Sequence, residues 1–300
     1  MTDVAVVIGS YRSEERLPGC IASLRAQTLQ PIEILSVDAS PDDASREAAD
    51  SLGARSLAVE NRGLGYQYNR GAEETAAPYV LLTNADVAFA PDCLRLLADV
   101  LDGDETLFAA DPRQDDWPGT GLVHSRSTLR RGSLLRELLP GFRLDLRAPA
   151  DDPVPTVSAN AGAMLVRRLQ LLELGGFDES FFLDFEDLDL CWRAWLRGWG
   201  SVYVPDARLR HHVGGSTSSA ILPARYSQSH HNLMRFALKC LPARDAARVL
   251  LAELLRLGVH PRLVAPALVR VARTLPEILR LRRVVAPRTD LLEWMLAGQP

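Results

Sequence analysis

Cysteine is scarce in this chain. Its four residues, Cys20, Cys93, Cys191 and Cys240, stand far apart among 300, with no CxxC pair. That pattern excludes a zinc ribbon and a secreted disulfide framework, and it fits a reducing cytosol. Lysine is scarcer still: Lys239 is the single one among 34 basic residues. The arginine excess is read as coding bias rather than function. No 18-residue stretch is free of charge, so no membrane-spanning helix is expected. Residues Met1–Ile8 lack a basic leader region and run straight into an apolar segment, so no signal peptide is expected. Apolar residues at 47% and charged residues at 24% exclude global disorder or a collagen-like repeat. The length suits one large α/β domain, or one core with an extension.

The net charge of −4 conceals an asymmetry. Residues 207–300 carry 15 basic and 5 acidic side chains, whereas the preceding 206 carry 19 and 33. An acidic body with a basic tail presents two different surfaces. Either the tail docks on the body through charge, or it meets an anionic lipid or phosphate partner.

Strand-like and helix-like runs alternate over the first 110 residues. Val4–Ile8, Ile32–Val37, Arg55–Val59 and Tyr79–Thr83 read as strands. Ser13–Gln27, Asp43–Leu52, Gly65–Thr75 and Pro91–Leu101 read as helices. Ser13 is a candidate N-cap, and Gly53 closes the second helix. The alternation predicts βαβ units in a mainly parallel sheet, with ligands beyond the C-terminal strand ends. Those ends hold Ser10-Tyr11-Arg12, Asp38 and Asn84-Ala85-Asp86. Residues 111–155 have weak periodicity and read as a long loop, of the kind that is functional or mobile. Ala163–Val166 and Ser201–Val204 read as strands, Arg168–Leu174 and Phe185–Arg197 as helices. Beyond Ile221 only helices are expected, with a new one starting at Thr274, where Thr-Leu-Pro-Glu has capping-box spacing.

Four groups of residues could do chemistry. Asp38 follows a buried strand; it either caps a turn or accepts a hydrogen bond from a nucleobase. Asp86 ends another strand, where a carboxylate serves a turn or a divalent cation carrying a diphosphate. Asp184, Glu186, Asp187 and Asp189 crowd a helix start. Asp184 reads as the N-cap, and two of the four need no role beyond the helix dipole. Among apolar neighbours, however, such a cluster also suits a general base. His211-His212 follows a strand and could complete a metal site with Asp86. Trp192 and Trp195 read as core rather than as sugar-stacking residues.

Together these motifs resemble inverting family 2 glycosyltransferases of the GT-A fold, in particular rhamnosyltransferase-like members that build bacterial surface polysaccharides. The resemblance runs from Val4 to about Lys239. It rests on Val6–Arg12, Val37-Asp38-Ala39-Ser40, Asn61–Gly65 with Asn69-Arg70-Gly71, and Thr83–Val87. Asn160–Leu165 and the run from Gly175-Gly176-Phe177-Asp178-Glu179 to Arg193 are its most specific parts. It implies a mixed, mainly parallel sheet flanked by helices, with a C-terminal helical extension. Residues 1–220 would form the core, 1–110 binding nucleotide-sugar and 111–220 serving acceptor and catalysis. Residues 221–300 would form the basic extension.

The resemblance further implies transfer of a sugar from a nucleoside diphosphate to a hydroxyl. Ser10, Tyr11, Arg12, Asp38, Asn61, Gly63, Asn69, Asn84 and Asp86 would serve the donor, Asp38 reading the pyrimidine. Asp86 would hold Mg²⁺ or Mn²⁺, with His211, or alternatively His212, beside it. Asp187 would be the catalytic base and Glu186 its neighbour, orienting the acceptor or tuning the base. The first-choice donor is dTDP-rhamnose, with UDP-sugars second. The acceptor would be a surface glycan or a polyprenyl-diphosphate-linked glycan at the cytoplasmic membrane face, reached through the basic helices; no nucleic-acid partner is expected. Asn84 stands where the family's full metal motif has Asp, and Ala85 and Ala39 replace the usual Pro and Asn. A non-catalytic sugar-nucleotide scaffold, a nucleotidyltransferase and a transferase acting directly on polyprenyl phosphate are the competing readings.

Overall fold

The computed structural model describes residues 2–133, 139–148, 150–212 and 222–298. Its opening strands are uninterrupted apolar runs, as strands covered on both faces require. β1 (Val4–Ser10) lies buried between β2 (Glu33–Asp38) and β4 (Tyr79–Asn84), parallel to both. β3 (Arg55–Ala58) extends the sheet beyond β2. The crossovers are helices α1 (Leu17–Arg25), α2 (Ala44–Ser51) and α3 (Leu64–Glu73). After β4 come a short β5 (Val87–Phe89) and α4 (Cys93–Gly103).

The other half of the sheet is mixed. β11 (Ala163–Arg167) runs antiparallel to β4 and to β6 (Leu107–Asp116). β12 (Gly200–His211) runs parallel to β6, with a register shift between Val204 and Arg208. β10 (Val154–Pro155) completes the order β10-β12-β6-β11-β4-β1-β2-β3; β7 (Leu122–His124) pairs with β6, and β5 with β12. One face is covered by α1 and α4, through Leu17, Ile21, Leu24, Leu94 and Leu97. The other is covered by α3, α5 (Arg168–Glu173) and α6 (Glu186–Leu196), through Tyr68, Leu171 and Leu190.

Four helices follow: α7 (Leu222–Cys240), α8 (Ala243–Leu257), α9 (Pro261–Val285) and α10 (Thr289–Leu296). They join α6 through a third apolar cluster that includes Trp192, Phe236 and Met295. A buried charge network binds the same layers. Lys239 pairs with Asp178 and, at 2.6 Å, with Asp189. Arg235 pairs with Asp178 at 3.0 Å and Glu277 at 2.7 Å, and Arg193 pairs with Asp189 at 2.9 Å. Burial would raise the Asp178 carboxyl, but Lys239 and Arg235 outweigh it and hold the group well below the usual range.

Several sequence expectations need correction. The 111–155 segment is not a loop: β6 reaches Asp116, and β8 (Arg126–Ser133) pairs with β9 (Pro140–Ala148) as a two-stranded ribbon. Leu129 opposite Leu144 and the Arg130–Asp145 ion pair hold a ribbon too polar for its alternation to stand out. β12 runs on to His211, past Pro205 and Asp206, because β6 continues beside it. No helix starts at Thr274. Its hydroxyl donates to the Arg270 carbonyl inside a continuous α9 that contains Pro266 and Pro276. The amide hydrogen bond that Pro276 cannot make is offset by Val271 and Ile278, buried in an apolar cluster shared with Met234 of α7, and by Glu277 on Arg235. Ser13 and Asp184 do not cap helices; Arg16 and Phe185 occupy those positions.

Candidate active site

The buried Gln67 amide donates to the carbonyls of Ser10 (2.6 Å) and Val37 (3.0 Å), fixing the ends of β1 and β2. Beside them, fully buried Asp38 accepts from Ser40 Oγ (2.7 Å) and Arg46 (3.0 Å). Ser40 Oγ also accepts from the Arg12 amide at 2.7 Å, where the chain turns with positive φ, and Tyr11 is left exposed. Ser10, Tyr11, Arg12 and Asp38 therefore share one strand-end shelf. Gly63 has φ 98°, and a Cβ there would meet the Phe182 backbone at 2.6 Å; Asn61 is exposed nearby. Asn69 reaches the other way, donating to Phe177 O (3.0 Å) and accepting from Phe177 N (2.7 Å). In the structure its amide positions the 176–179 turn.

Asn84 and Asp86 lie at the end of β4. The Asn84 amide donates to Gly162 O, and its side-chain oxygen lies 3.1 Å from the Tyr68 hydroxyl. Asp86 Oδ1 is buried without a hydrogen-bond partner, 3.3 Å from His211 Nε2. His212 turns away: its ring stacks on Trp117, with 3.5 Å between centroids. Of the two histidines, His211 is the one whose ring lies beside the Asp86 carboxylate.

The tautomer of His211 follows from its neighbours. Gln114 Nε2 donates to Asn160 Oδ1 (3.1 Å), which turns Gln114 Oε1 toward His211 Nδ1 at 2.9 Å. Nδ1 is then the donor, and the singly protonated ring would present its Nε2 lone pair to the orphaned Asp86 oxygen. Two acceptors facing each other in a buried corner suit a cation between them. Among the described residues no three His, Cys, Asp or Glu side chains converge. The protein thus offers two donors, a number that fits a Mg²⁺-type ion completed by substrate phosphates.

A cavity of about 370 Å³ lies beside this corner. His211, Asn84, Glu186 and Asp187 line it, with His124, Leu144 and Leu183 among the rest. Asp187 Oδ2 accepts from the Ala161 amide at 3.3 Å, and Oδ1 from the Leu188 amide at 2.7 Å. Burial nevertheless raises its carboxyl above the usual range, the two amides and His124 opposing the rise. Asp184 and Phe185, just before α6, both have positive φ (66° and 75°). Such backbone is costly for these residues and persists only where its surroundings impose it. Here α7 does so: buried Asn232 donates to the carbonyls of Leu183 (2.7 Å) and Asp184 (2.8 Å), and Ser229 to Asp184 Oδ2 (3.1 Å).

Sequence reading passed over Asp111, Gln114, His124 and the side chain of Asn160. Asp111 follows the apolar run Phe108-Ala109-Ala110, a strand-end signal of the kind that marked Asp38 and Asp86. Gln114 and His124 carried no such signal, because their strands read as loop.

Mixed sheet, strand-end carboxylates and adjoining cavity together define a glycosyltransferase built on the GT-A fold. A family model for glycosyl transferase family 2 matches residues 5–162, and the chain belongs to that family. It is 30% identical over 257 residues to an N-acetylglucosaminyl-diphospho-decaprenol L-rhamnosyltransferase of Mycobacterium tuberculosis, covering 77% of this chain and 82% of the relative. Among solved structures it resembles GalNAc-T7 with UDP, GalNAc and Mn²⁺: TM-score 0.62, 17% identity, 81% of this chain and 49% of that one. It also resembles a Pyrobaculum calidifontis mannosyltransferase with GDP-Man and Mn²⁺, with TM-score 0.56, 17% identity, and 97% and 82% covered. At that identity the two structures speak for the fold.

Proposed function

We propose that the chain transfers a sugar, with rhamnose from dTDP-rhamnose the first choice, to a hydroxyl of a polyprenyl-diphosphate-linked glycan, with inversion at the anomeric carbon. The observation that carries this reading is the cavity lined by both Asp187 and His211, the partner of Asp86. The Mycobacterium relative, whose name states a decaprenol-linked acceptor, supports the acceptor class.

The shelf of Ser10, Tyr11, Arg12 and Asp38 would take the nucleoside, Asp38 accepting from the base once Arg46 swings off its carboxylate. Asn61, Gly63 and Asn69 would shape the donor side through the turns they hold. Asp86 and His211 would hold Mg²⁺ or Mn²⁺, whose charge offsets the charge building on the departing diphosphate. Asp187 takes the acceptor hydroxyl proton as the new bond forms, and Glu186 in the same wall orients that acceptor. Proton transfer of this kind contributes about 10²–10⁴-fold in rate. A single base suffices for inversion, and no carboxylate nucleophile is needed.

The outer face of α8 supports a place at the bilayer. Leu251, Leu254 and Leu255 are between 46% and 53% exposed along it, and Val259 just beyond its end is 72% exposed. Exposed Arg273, Arg280 and Arg283 stand on adjacent α9. The three acids of these two helices, Asp245, Glu253 and Glu277, are all paired within the protein. An apolar stripe flanked by unopposed arginines fits an anionic membrane surface.

The test of the reaction is a transfer assay with dTDP-rhamnose and UDP-sugars, reading the anomer of the product by NMR. A product anomer opposite to the donor's supports inversion. Retained configuration would remove Asp187 as sole base.

A further inference from the structure

Beside the cavity lies a buried ion pair that the mechanism does not use. Asp111 and His124 are both almost wholly buried, with His124 Nε2 2.9 Å from Asp111 Oδ2. β6 and its short partner β7 bring them together. The other Asp111 oxygen accepts from the Asn160 amide at 3.1 Å, while Asp187 accepts from the next amide, Ala161. Two carboxylates therefore bind consecutive N–H groups of one turn, and His124 shares the cavity wall with Asp187.

We propose that the Asp111–His124 pair is a positioning element for catalysis, whose imidazolium lines the same cavity as the Asp187 carboxylate and keeps it ionised as a base. This rests on the reading of Asp187 given above. Burial would lower the His124 imidazole, but Asp111 outweighs it through charge and hydrogen bond, with Asp187 adding to the rise, so the net direction is upward. Asp111 is itself raised by burial, opposed by His124 and the Asn160 amide. The remaining groups facing this cluster are Arg147 of β9, Tyr203 of β12, Tyr68 of α3, and Glu186 and Cys191 of α6. Burial keeps Tyr68, Tyr203 and the Cys191 thiol neutral well past pH 8. Without the imidazolium, two desolvated carboxylates held on consecutive amides would be left without that cation, and one would take up a proton.

The sign of each substitution follows. His124→Gln removes the cation, so Asp187 protonates more readily. The acid limb of kcat against pH should move up by about one unit. His124→Gln with Asp111→Asn removes both charges and keeps a hydrogen-bonding pair, so the limb should return toward its wild-type position. A merely structural role predicts the double variant to be worse, with no limb movement in either. Asp187→Asn in the same assay separates the two readings: if it turns over normally, the base assignment itself fails. If it is inactive while the His124→Gln limb stays fixed, the present proposal alone fails. Should His124→Gln not fold, imidazole NMR titration of the wild-type full chain against Asp187→Asn decides. One histidine midpoint should fall on loss of the carboxylate; no movement among the six overturns the proposal.

Discussion

Asp187 shows how burial and hydrogen bonding divide the work at one carboxylate. The amides of Ala161 and Leu188 orient it, while desolvation raises its proton affinity toward the range useful to a base. Asp187→Asn should keep donor binding, measured by calorimetry, and lose about 10²–10⁴-fold in kcat. Asp86→Ala should abolish the Mn²⁺-dependent part of donor affinity; unchanged affinity with and without Mn²⁺ would refute the metal role. Gln114 acts one step back, by fixing the tautomer of His211. Gln114→Leu should weaken metal-dependent donor binding by about 10–100-fold while leaving metal-free nucleotide binding intact. Asp38 and Asp86 were legible in sequence because each follows an apolar strand at a predictable end. Gln114 was not, because its contacts come from residues 46 and 97 positions away.

The elements of the first half announce themselves: Val4–Ser10 and Tyr79–Asn84 are apolar runs that only a sheet covered on both faces accommodates. The β8–β9 ribbon and the unbroken α9 do not, since one is held by ion pairs and the other by packing that overrides proline. The strained Asp184–Phe185 turn belongs to this class: neither residue signals positive φ, and the clamp that imposes it lies on α7. Asn232→Ala should therefore lower kcat while leaving nucleotide affinity, read by calorimetry, unchanged. The Lys239 network ties the same layers. Lys239→Met would leave Asp178 and Asp189 short of a cation and should cost about 3 kcal/mol in urea unfolding. Asp178, depressed in the folded state, contributes stability at pH values above the unfolded carboxylate range. That contribution is lost as pH falls below about 4 toward its folded value. Asp178→Asn should flatten this acid-side slope.

For the whole molecule, the charge asymmetry resolves into two surfaces. Part of the basic tail turns inward, as Arg235 and Lys239 bind acids of the core, and part stays outside as Arg273, Arg280 and Arg283. Docking on the acidic body, one of the two alternatives read from the sequence, is present; the anionic partner remains a proposal. The full chain should float with vesicles containing anionic lipid at low salt and not with neutral ones. Replacing Leu251, Leu254 and Leu255 by Ser should abolish flotation and leave transfer to a water-soluble acceptor intact. Flotation that survives those changes would move the contact elsewhere.

The central claim is that the strand-end shelf, the Asp86–His211 corner and the Asp187 cavity form one transferase site. Its most direct test is a single-turnover assay with dTDP-rhamnose, Mn²⁺ and a short-chain polyprenyl-diphosphate-linked N-acetylglucosamine, comparing wild type with Asp187→Asn. Wild type should give glycosylated acceptor, and the variant unreacted, still-bound donor. Equal product from both would contradict it.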